Sequence, residues 1–276
     1  MRSELSEFLK EDIGAGDLTS ELVVPRSERA SGEIRAKERC VLAGAREARQ
    51  VFEELGAEAT LLREDGEAVG KGEVVLRAEG PARALLSGER LALNMLMRMS
   101  GIATLTNELL VKCRGVNPDV RIAATRKTTP GFRVFEKRAV ALGGGDPHRS
   151  GLDDAVLIKN NHIRLAGGVE EALKRARSAS FTKKIEIEVE GAEDAYAALA
   201  NGADIIMLDN LPPEEARPLA AELRRRRPGI IIEVSGGITP DDIQLHADYA
   251  DIISLGWLTH SVRSIDFSMT ITRGGP

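Results

Sequence analysis

The chain has 276 residues, 42% of them apolar and 29% charged, with a formal net charge of −5. That is the composition of a packed globular protein of about two domains and not of a disordered chain. The acidic balance argues against a dedicated nucleic-acid binder, so any anion site has to be a local concentration of Arg and Lys on an acidic body. Two cysteines, Cys40 and Cys113, are too few for a disulfide framework or a cysteine-rich metal site, and they suit a reducing compartment. The opening MRSELSEFLKED carries Glu4, Glu7 and Lys10 where a signal peptide needs an apolar run. No stretch reaches the roughly 20 apolar residues of a membrane helix. A cytoplasmic protein without a membrane or nucleic-acid partner is expected.

In chain order, residues 44–55 place Ala48, Val51, Phe52 and Leu55 on one helical face. Residues 67–78 read as two short strands around a Gly-Lys-Gly turn. Ser87 can cap the helix that follows, which puts Arg90 in its first turn, where a cation beside the helix N-terminus favours an anion. Pairing with Glu89 is the plain alternative for Arg90. The run Leu91–Met99, apolar apart from Asn94 and Arg98, predicts a buried helix that links two domains or lines a subunit interface.

From about residue 120 short β-rich runs alternate with amphipathic stretches. The strand candidates are 120–125, 155–160, 184–190, 203–210, 229–237 and 250–257. Between them, Val169, Ala172, Leu173 and Ala176 share a helical face, as do Ala192, Ala195, Tyr196 and Leu199. Ala216, Leu219, Ala220 and Leu223 form a third such face, with Pro218 expected near the start of its helix. This alternation predicts parallel strands with crossover helices, and without a dinucleotide-binding glycine fingerprint it favours a barrel or partial barrel over a Rossmann sheet. Polar groups stand at nearly every strand end: Arg126 and Lys127, Lys159, Glu188, Asp209, Ser235 with two glycines, and Gly256. In an α/β barrel those ends share the face on which active sites are built.

Residues 125–133 supply three cations, Arg126, Lys127 and Arg133, around a Pro-Gly turn, and residues 143–154 form a glycine segment ending in His148 and Arg149. Lys159 at an apolar strand end suits a Schiff base, an anion ligand or a buried ion pair. Glu186, Glu188 and Glu190 alternate along one side of their strand. Glu188 with Asp209 could hold Mg²⁺, bind ribose hydroxyls or stabilise a developing carbocation. EVSGGI and SLGWLTH resemble late barrel loops that bind phosphate through backbone N–H groups and a helix N-terminus. The run Arg224–Arg227 reads as a solvated helix C-terminus. His246 and His260 read as surface or turn residues, His148 and His162 lack zinc spacing, and neither cysteine has a nucleophile's surroundings.

Taken in order, EDIGAGDLTS, ERLALNMLMRMSGIAT, TRKTTPGFR, KRAVALGGGDPHRSGLDDAVLIKNNH, IEIEVE, ADIIMLDN, EVSGGI and SLGWLTHS resemble the quinolinate phosphoribosyltransferase family, also called nicotinate-nucleotide pyrophosphorylase (carboxylating). The resemblance implies an N-terminal α+β domain at 1–105, which residues 266–276 could join, and an incomplete seven-stranded α/β barrel at 106–265. It implies at least a homodimer, with each site completed by the neighbouring subunit. The implied reaction joins quinolinate to phosphoribosyl pyrophosphate (PRPP) with Mg²⁺, releases pyrophosphate and CO₂, and yields nicotinate mononucleotide for NAD synthesis, without an organic cofactor. By resemblance Arg126, His148, Arg149 and Lys159 hold quinolinate, joined by Arg90 across the subunit interface. Lys127 lies between the substrates, Glu188 and Asp209 face ribose and metal, and Ser235, Gly236, Gly237 and Gly256 take the 5′-phosphate. Asn160 stands where the family has Asp, and Trp257 where a small residue is common. A same-fold phosphoribosyltransferase paralogue with another acceptor and a Schiff-base aldolase using Lys159 are the competing readings.

Overall fold

Alternation of apolar and polar residues builds the first sheet. In the computed structural model, which describes residues 2–274, β1 (Arg29–Ala36) buries every second residue, with Ile34 and Ala36 fully covered. It is followed by β2 (Cys40–Val41), β3 (Glu58–Leu61), β4 (Ala68–Val69) and β5 (Val74–Pro81). A C-terminal strand, Phe267–Arg273, pairs antiparallel with β1, and the four-stranded order is C-terminal strand, β1, β5, β3. Of the 266–276 segment, residues 275 and 276 lie outside the described residues. The strands expected around the Gly-Lys-Gly turn are β4 and β5, but they do not pair with each other, because β4 joins β2. The helix Ala45–Glu54 buries Ala48, Val51 and Phe52. All of this belongs to one compact unit, Met1–Leu105 with Arg138–Gly144 and Ser261–Pro276.

The long helix runs Ala82–Arg114, starting six residues before the Gly88 start that a Ser87 cap implies. Pro81 ends β5 and the chain turns directly into helix-forming residues. Ser87 is therefore interior, and its hydroxyl donates to Asp17 Oδ2 at 3.1 Å. Arg90 lies beyond the first turn, so the expected help from the helix terminus does not exist. The run Leu91–Met99 is buried within its own chain, with Asn94 exposed as its sequence suggests.

The second unit comprises Thr106–Lys137 and Gly145–His260. Its strands are β6 (Arg121–Ala124), β7 (Val156–Ile158), β8 (Ile185–Val189), β9 (Ile205–Asp209), β10 (Ile231–Ser235) and β11 (Ile252–Leu255), each inside a predicted strand. They form one parallel sheet in the order β6-β11-β10-β9-β8-β7. From β7 to β11 successive strands are neighbours, and β6 pairs with the last of them, the winding of a barrel opened between β6 and β7 and not of a doubly wound sheet. The seventh strand is reduced to a single bridge, Ala123 to Asp146. The glycines of 143–145 and Pro147, which has no N–H, cannot sustain a longer ladder there.

Between strands, the helix Pro213–Arg226 buries Ala216, Leu219, Ala220 and Leu223. Pro218 is its sixth residue, not an N-terminal one, and is tolerated on the exposed side. The arginine run is tethered more than solvated: Arg224 pairs with Asp251, Arg225 and Arg226 with Glu222, and Arg227 donates to the Ala203 carbonyl. His246 is buried against the Tyr249 hydroxyl at 2.6 Å, not on the surface. Both cysteines are buried, and burial pushes the Cys40 thiol up to about 12, which keeps it inert. No helix among the described residues is long and apolar enough to cross a membrane.

Candidate active site

All six strands of the second unit contribute to one cavity of about 490 Å³ at their C-terminal ends. A flat sheet could not line one cavity with all of its strands, so the sheet curls. Period-2 alternation sends Ala124, Leu157, Glu188, Met207, Asp209, Glu233, Ser235 and Ser254 to this interior, while Ile187, Ile206, Ile232 and Ile253 pack on the outer side. Of the expected residues, Arg126, Lys127, His148, Arg149, Lys159, Glu188, Asp209, Ser235, Gly236 and Gly237 line the cavity. Gly256 and Arg90 do not. Arg90 is exposed on the long helix of the first unit, and among the described residues its side chain has no partner, Glu89 included.

The cationic wall is built by loops held from behind. Thr259 donates to the Lys127 carbonyl at 2.7 Å, and buried Glu136 accepts from the amide and hydroxyl of Thr129 at 3.0 and 2.9 Å. The third cation of this loop, Arg133, is spent on structure, donating to Thr128 Oγ1 and the Ser150 carbonyl. Arg126 Nε is buried with no hydrogen-bond partner among the described residues, a donor left for an anion. Burial and the nearby Arg126 charge hold the Arg149 guanidinium below its usual value, a strain that an anionic ligand would relieve.

The acidic wall faces it. Lys159 Nζ pairs with Glu188. Burial, and then the charge of Glu188, raise the Asp209 carboxyl above the usual carboxylate range. Asn160 donates to Glu190, so its departure from Asp serves a contact outside the cavity lining. Beyond β10, Gly236 and Gly237 have φ of +89° and +66°, which only glycine adopts without cost. A Cβ on Gly236 would lie 2.3 Å from Asn210 Oδ1. Gly256 works at one remove, since a Cβ there would strike the Lys127 stem at 2.7 Å. The helix after Gly256, Trp257–His260, has a single turn, and no helix directly follows Gly237, so the helix N-terminus expected beside these loops is not there. Trp257 does not crowd this loop: its indole N–H donates to the Ile238 carbonyl at 2.8 Å and ties the two loops together.

Beneath the cations lies a cluster that sequence reasoning missed. His148 Nε2 is 3.4 Å from Glu186 Oε2 and 3.4 Å from Glu233 Oε2, both glutamates being buried. Burial opposes a charged ring, and burial raises the Glu186 carboxyl. The Arg149 amide donates to His148 Nδ1 at 2.8 Å, which it cannot do if Nδ1 carries its own hydrogen. The ring therefore accepts through Nδ1 and turns its Nε2–H toward the two glutamates. Lys137, also buried, donates to the Pro147 and Arg149 carbonyls on either side of His148, and burial pulls its pKa down to about 8. The signal for Glu233 was available: it stands two residues before Ser235, on the same inward side of β10.

A curled parallel sheet with cations, a carboxylate pair and a glycine loop at its C-terminal strand ends is the site of an α/β-barrel enzyme acting on small polyanions. Comparison makes the assignment narrower. Residues 17–100 match the N-terminal domain, and residues 102–270 the C-terminal domain, of quinolinate phosphoribosyl transferase. A probable nicotinate-nucleotide pyrophosphorylase (carboxylating) of Methanothermobacter thermautotrophicus is 45% identical over 275 residues, covering 98% of this chain and 99% of the relative. The human nicotinate-nucleotide pyrophosphorylase (carboxylating) is 40% identical over 238 residues, 86% of this chain and 80% of the relative. The crystal structure of NadC from Streptococcus pyogenes superposes with a TM-score of 0.91 at 37% identity, over 99% of this chain and 96% of that one. The chain belongs to the quinolinate phosphoribosyltransferase family.

Proposed function

We infer that this chain transfers the phosphoribosyl group of PRPP to quinolinate with decarboxylation, giving nicotinate mononucleotide, pyrophosphate and CO₂ in NAD synthesis. The observation that carries this is the meeting, in one cavity, of Arg126, Lys127, Arg149 and Lys159 with Glu188, Asp209 and the Ser235–Gly237 loop. A dicarboxylate and a polyphosphate need that many cations in one place, and a monocarboxylate acceptor does not. Arg126, Arg149 and Lys159, with His148, hold quinolinate, and Lys127 stands between the substrates. Ser235, Gly236 and Gly237 receive the 5′-phosphate through their backbone, with Gly256 leaving room for Lys127.

As pyrophosphate leaves ribose C1, positive charge spreads into the ring, and Glu188 and Asp209 stabilise it. The pyridine nitrogen, held on the opposite side, attacks C1. The pyridinium so formed accepts the electron pair released when the C2 carboxylate leaves as CO₂, and a proton takes its place. The protein supplies positioning and charge, with no covalent intermediate. The carboxyl oxygens of Glu188 and of Asp209, the latter raised by burial and then by Glu188, fit a divalent cation. We assign them to Mg²⁺ entering with PRPP, where the ion would neutralise the departing pyrophosphate.

We further assign Arg90 to the quinolinate site of the neighbouring subunit, which makes the homodimer the smallest active form. Its exposure, without a side-chain partner among the described residues, supports this. In a mixed dimer of Arg90→Ala and Lys127→Ala subunits, one site carries both lesions and the other neither. Up to about half of the wild-type activity returns on subunit exchange if Arg90 works in trans; verified mixed dimers that stay dead remove the assignment. The activity itself is tested by offering PRPP with equimolar quinolinate and nicotinate and identifying products by mass spectrometry. Consumption of quinolinate alone is expected, and preference for nicotinate would point to a paralogue with another acceptor.

A further inference from the structure

Glu233 is unexplained by the roles assigned so far. It has no exposed surface, and neither of its carboxylate oxygens has a hydrogen-bond partner among the described residues. Its one polar contact among the described residues is His148 Nε2 at 3.4 Å, so burying the carboxylate is offset by that ring alone. It also stands beneath a cavity built for polyanions, where a carboxylate repels the substrate. Its near neighbour is His148, an L-residue in the left-handed region at φ +52°. That corner is pinned from several sides: Asp146 Oδ1 accepts from the His148 amide at 2.8 Å, and Lys137 holds the carbonyls of Pro147 and Arg149. The His148 ring in turn accepts from the Arg149 amide through Nδ1.

A metal held by His148, Glu186 and Glu233 is the obvious alternative, since their ligand atoms lie within 4.8 Å of one another. The Arg149 amide decides against it. With Nδ1 engaged as an acceptor, Nε2 bears the hydrogen and has no lone pair to offer a metal.

We propose that Glu233, acting with Glu186, is a positioning residue for the dicarboxylate subsite: facing the His148 Nε2–H, it fixes the ring, and through the ring's Nδ1 it fixes the backbone that presents Arg149 to the substrate carboxylate. This rests on the quinolinate reading of the cavity. It explains why a buried charge is kept at the floor of an anion site: the carboxylate acts on the imidazole and not on the ligand. Removing the carboxylate leaves the His148 Nε2–H without that acceptor, and the arginine loses its frame, whereas an amide at the same place keeps an acceptor for the ring.

The test compares wild type with Glu233→Leu and Glu233→Gln, since Gln keeps an oxygen to accept from Nε2. Quinolinate affinity is read twice, as KM in turnover and as Kd by titration calorimetry without PRPP. For Glu233→Leu both weaken by roughly 10- to 100-fold, the range for a misplaced binding group. Its KM for PRPP stays within about twofold, and Glu233→Gln restores quinolinate binding. Unchanged quinolinate affinity in Glu233→Leu overturns the proposal, as does a parallel loss of PRPP affinity and Tm, which marks a merely structural role. One equivalent of a tightly bound divalent metal in the purified wild type, lost in both variants, replaces it with a metal site. If wild type binds quinolinate but does not turn it over, the reaction reading fails, while the calorimetric pattern still supports the positioning role. If wild type does not bind quinolinate, both fall.

Discussion

Replacing Gly236 by Ala puts one methyl group into the phosphate loop. The backbone there has φ +89°, and holding a non-glycine residue in so sparsely populated a region costs about 1–3 kcal/mol. The new Cβ would stand 2.8 Å from the backbone nitrogen of Asn210, and ordinary contact begins near 3.4 Å, so one of the two loops retreats by about 0.6 Å. Asn210 cannot move alone. Its amide donates to the Ser235 carbonyl at 2.9 Å and its side chain to Asp209 at 2.7 Å. The displacement therefore reaches a phosphate ligand and a ribose-facing carboxylate together. If the strain is relieved only by giving up the phosphate-binding geometry, kcat/KM for PRPP falls by about 5- to 150-fold, the equivalent of that energy. Steady-state kinetics with PRPP varied at saturating quinolinate reads it, and calorimetry checks that quinolinate binding holds within about twofold. A kcat/KM for PRPP within twofold of wild type would refute the reasoning.

Arg126→Ala and Lys127→Ala each abolish turnover with Tm retained, since loss of one partner in a desolvated charge pair costs about 2–5 kcal/mol in binding; near-normal activity in either variant removes it from the site. Glu188→Gln and Asp209→Asn lower kcat more than they weaken quinolinate affinity, because their charge acts on the ribosyl transition state; a pure affinity loss means that their roles are misassigned. Asp209 also carries a pH signature. Its native pKa is raised above 3.8 by burial and by Glu188. Above the unfolded value the native state keeps a proton that the unfolded chain has lost, so stability from this group declines as pH rises through the native pKa. Asp209→Asn flattens that decline and raises Tm at neutral pH while abolishing activity, and thermal melts across the acidic to neutral range decide it.

The barrel was legible because each strand is a short apolar run with a polar residue at its end, and the period-2 pattern of IEIEVE and IIEVS states which residues face inward. The cavity lining follows from that parity alone. Ser87 was misleading because a good capping residue can also sit inside a helix when a distant partner, here Asp17, takes its hydroxyl. The seventh strand was lost to backbone chemistry at GGGDP, which strand counting does not weigh. The cluster of His148, Glu186 and Glu233 was beyond reach for a different reason. Glu186 and Glu233 lie on strands separated by β9, and only the curl of the sheet brings them to one imidazole. Arg90 is the opposite case: its local argument failed with the helix start, and its assignment rests on family resemblance and on its exposure.

The most direct test of the account is release of CO₂ from quinolinate labelled in the C2 carboxylate, followed alongside pyrophosphate formation in the presence of PRPP and Mg²⁺. The account predicts CO₂, pyrophosphate and nicotinate mononucleotide in equal amounts, with no CO₂ when PRPP is omitted. Release of pyrophosphate with the label retained in the nucleotide, or no reaction with quinolinate at all, would contradict it.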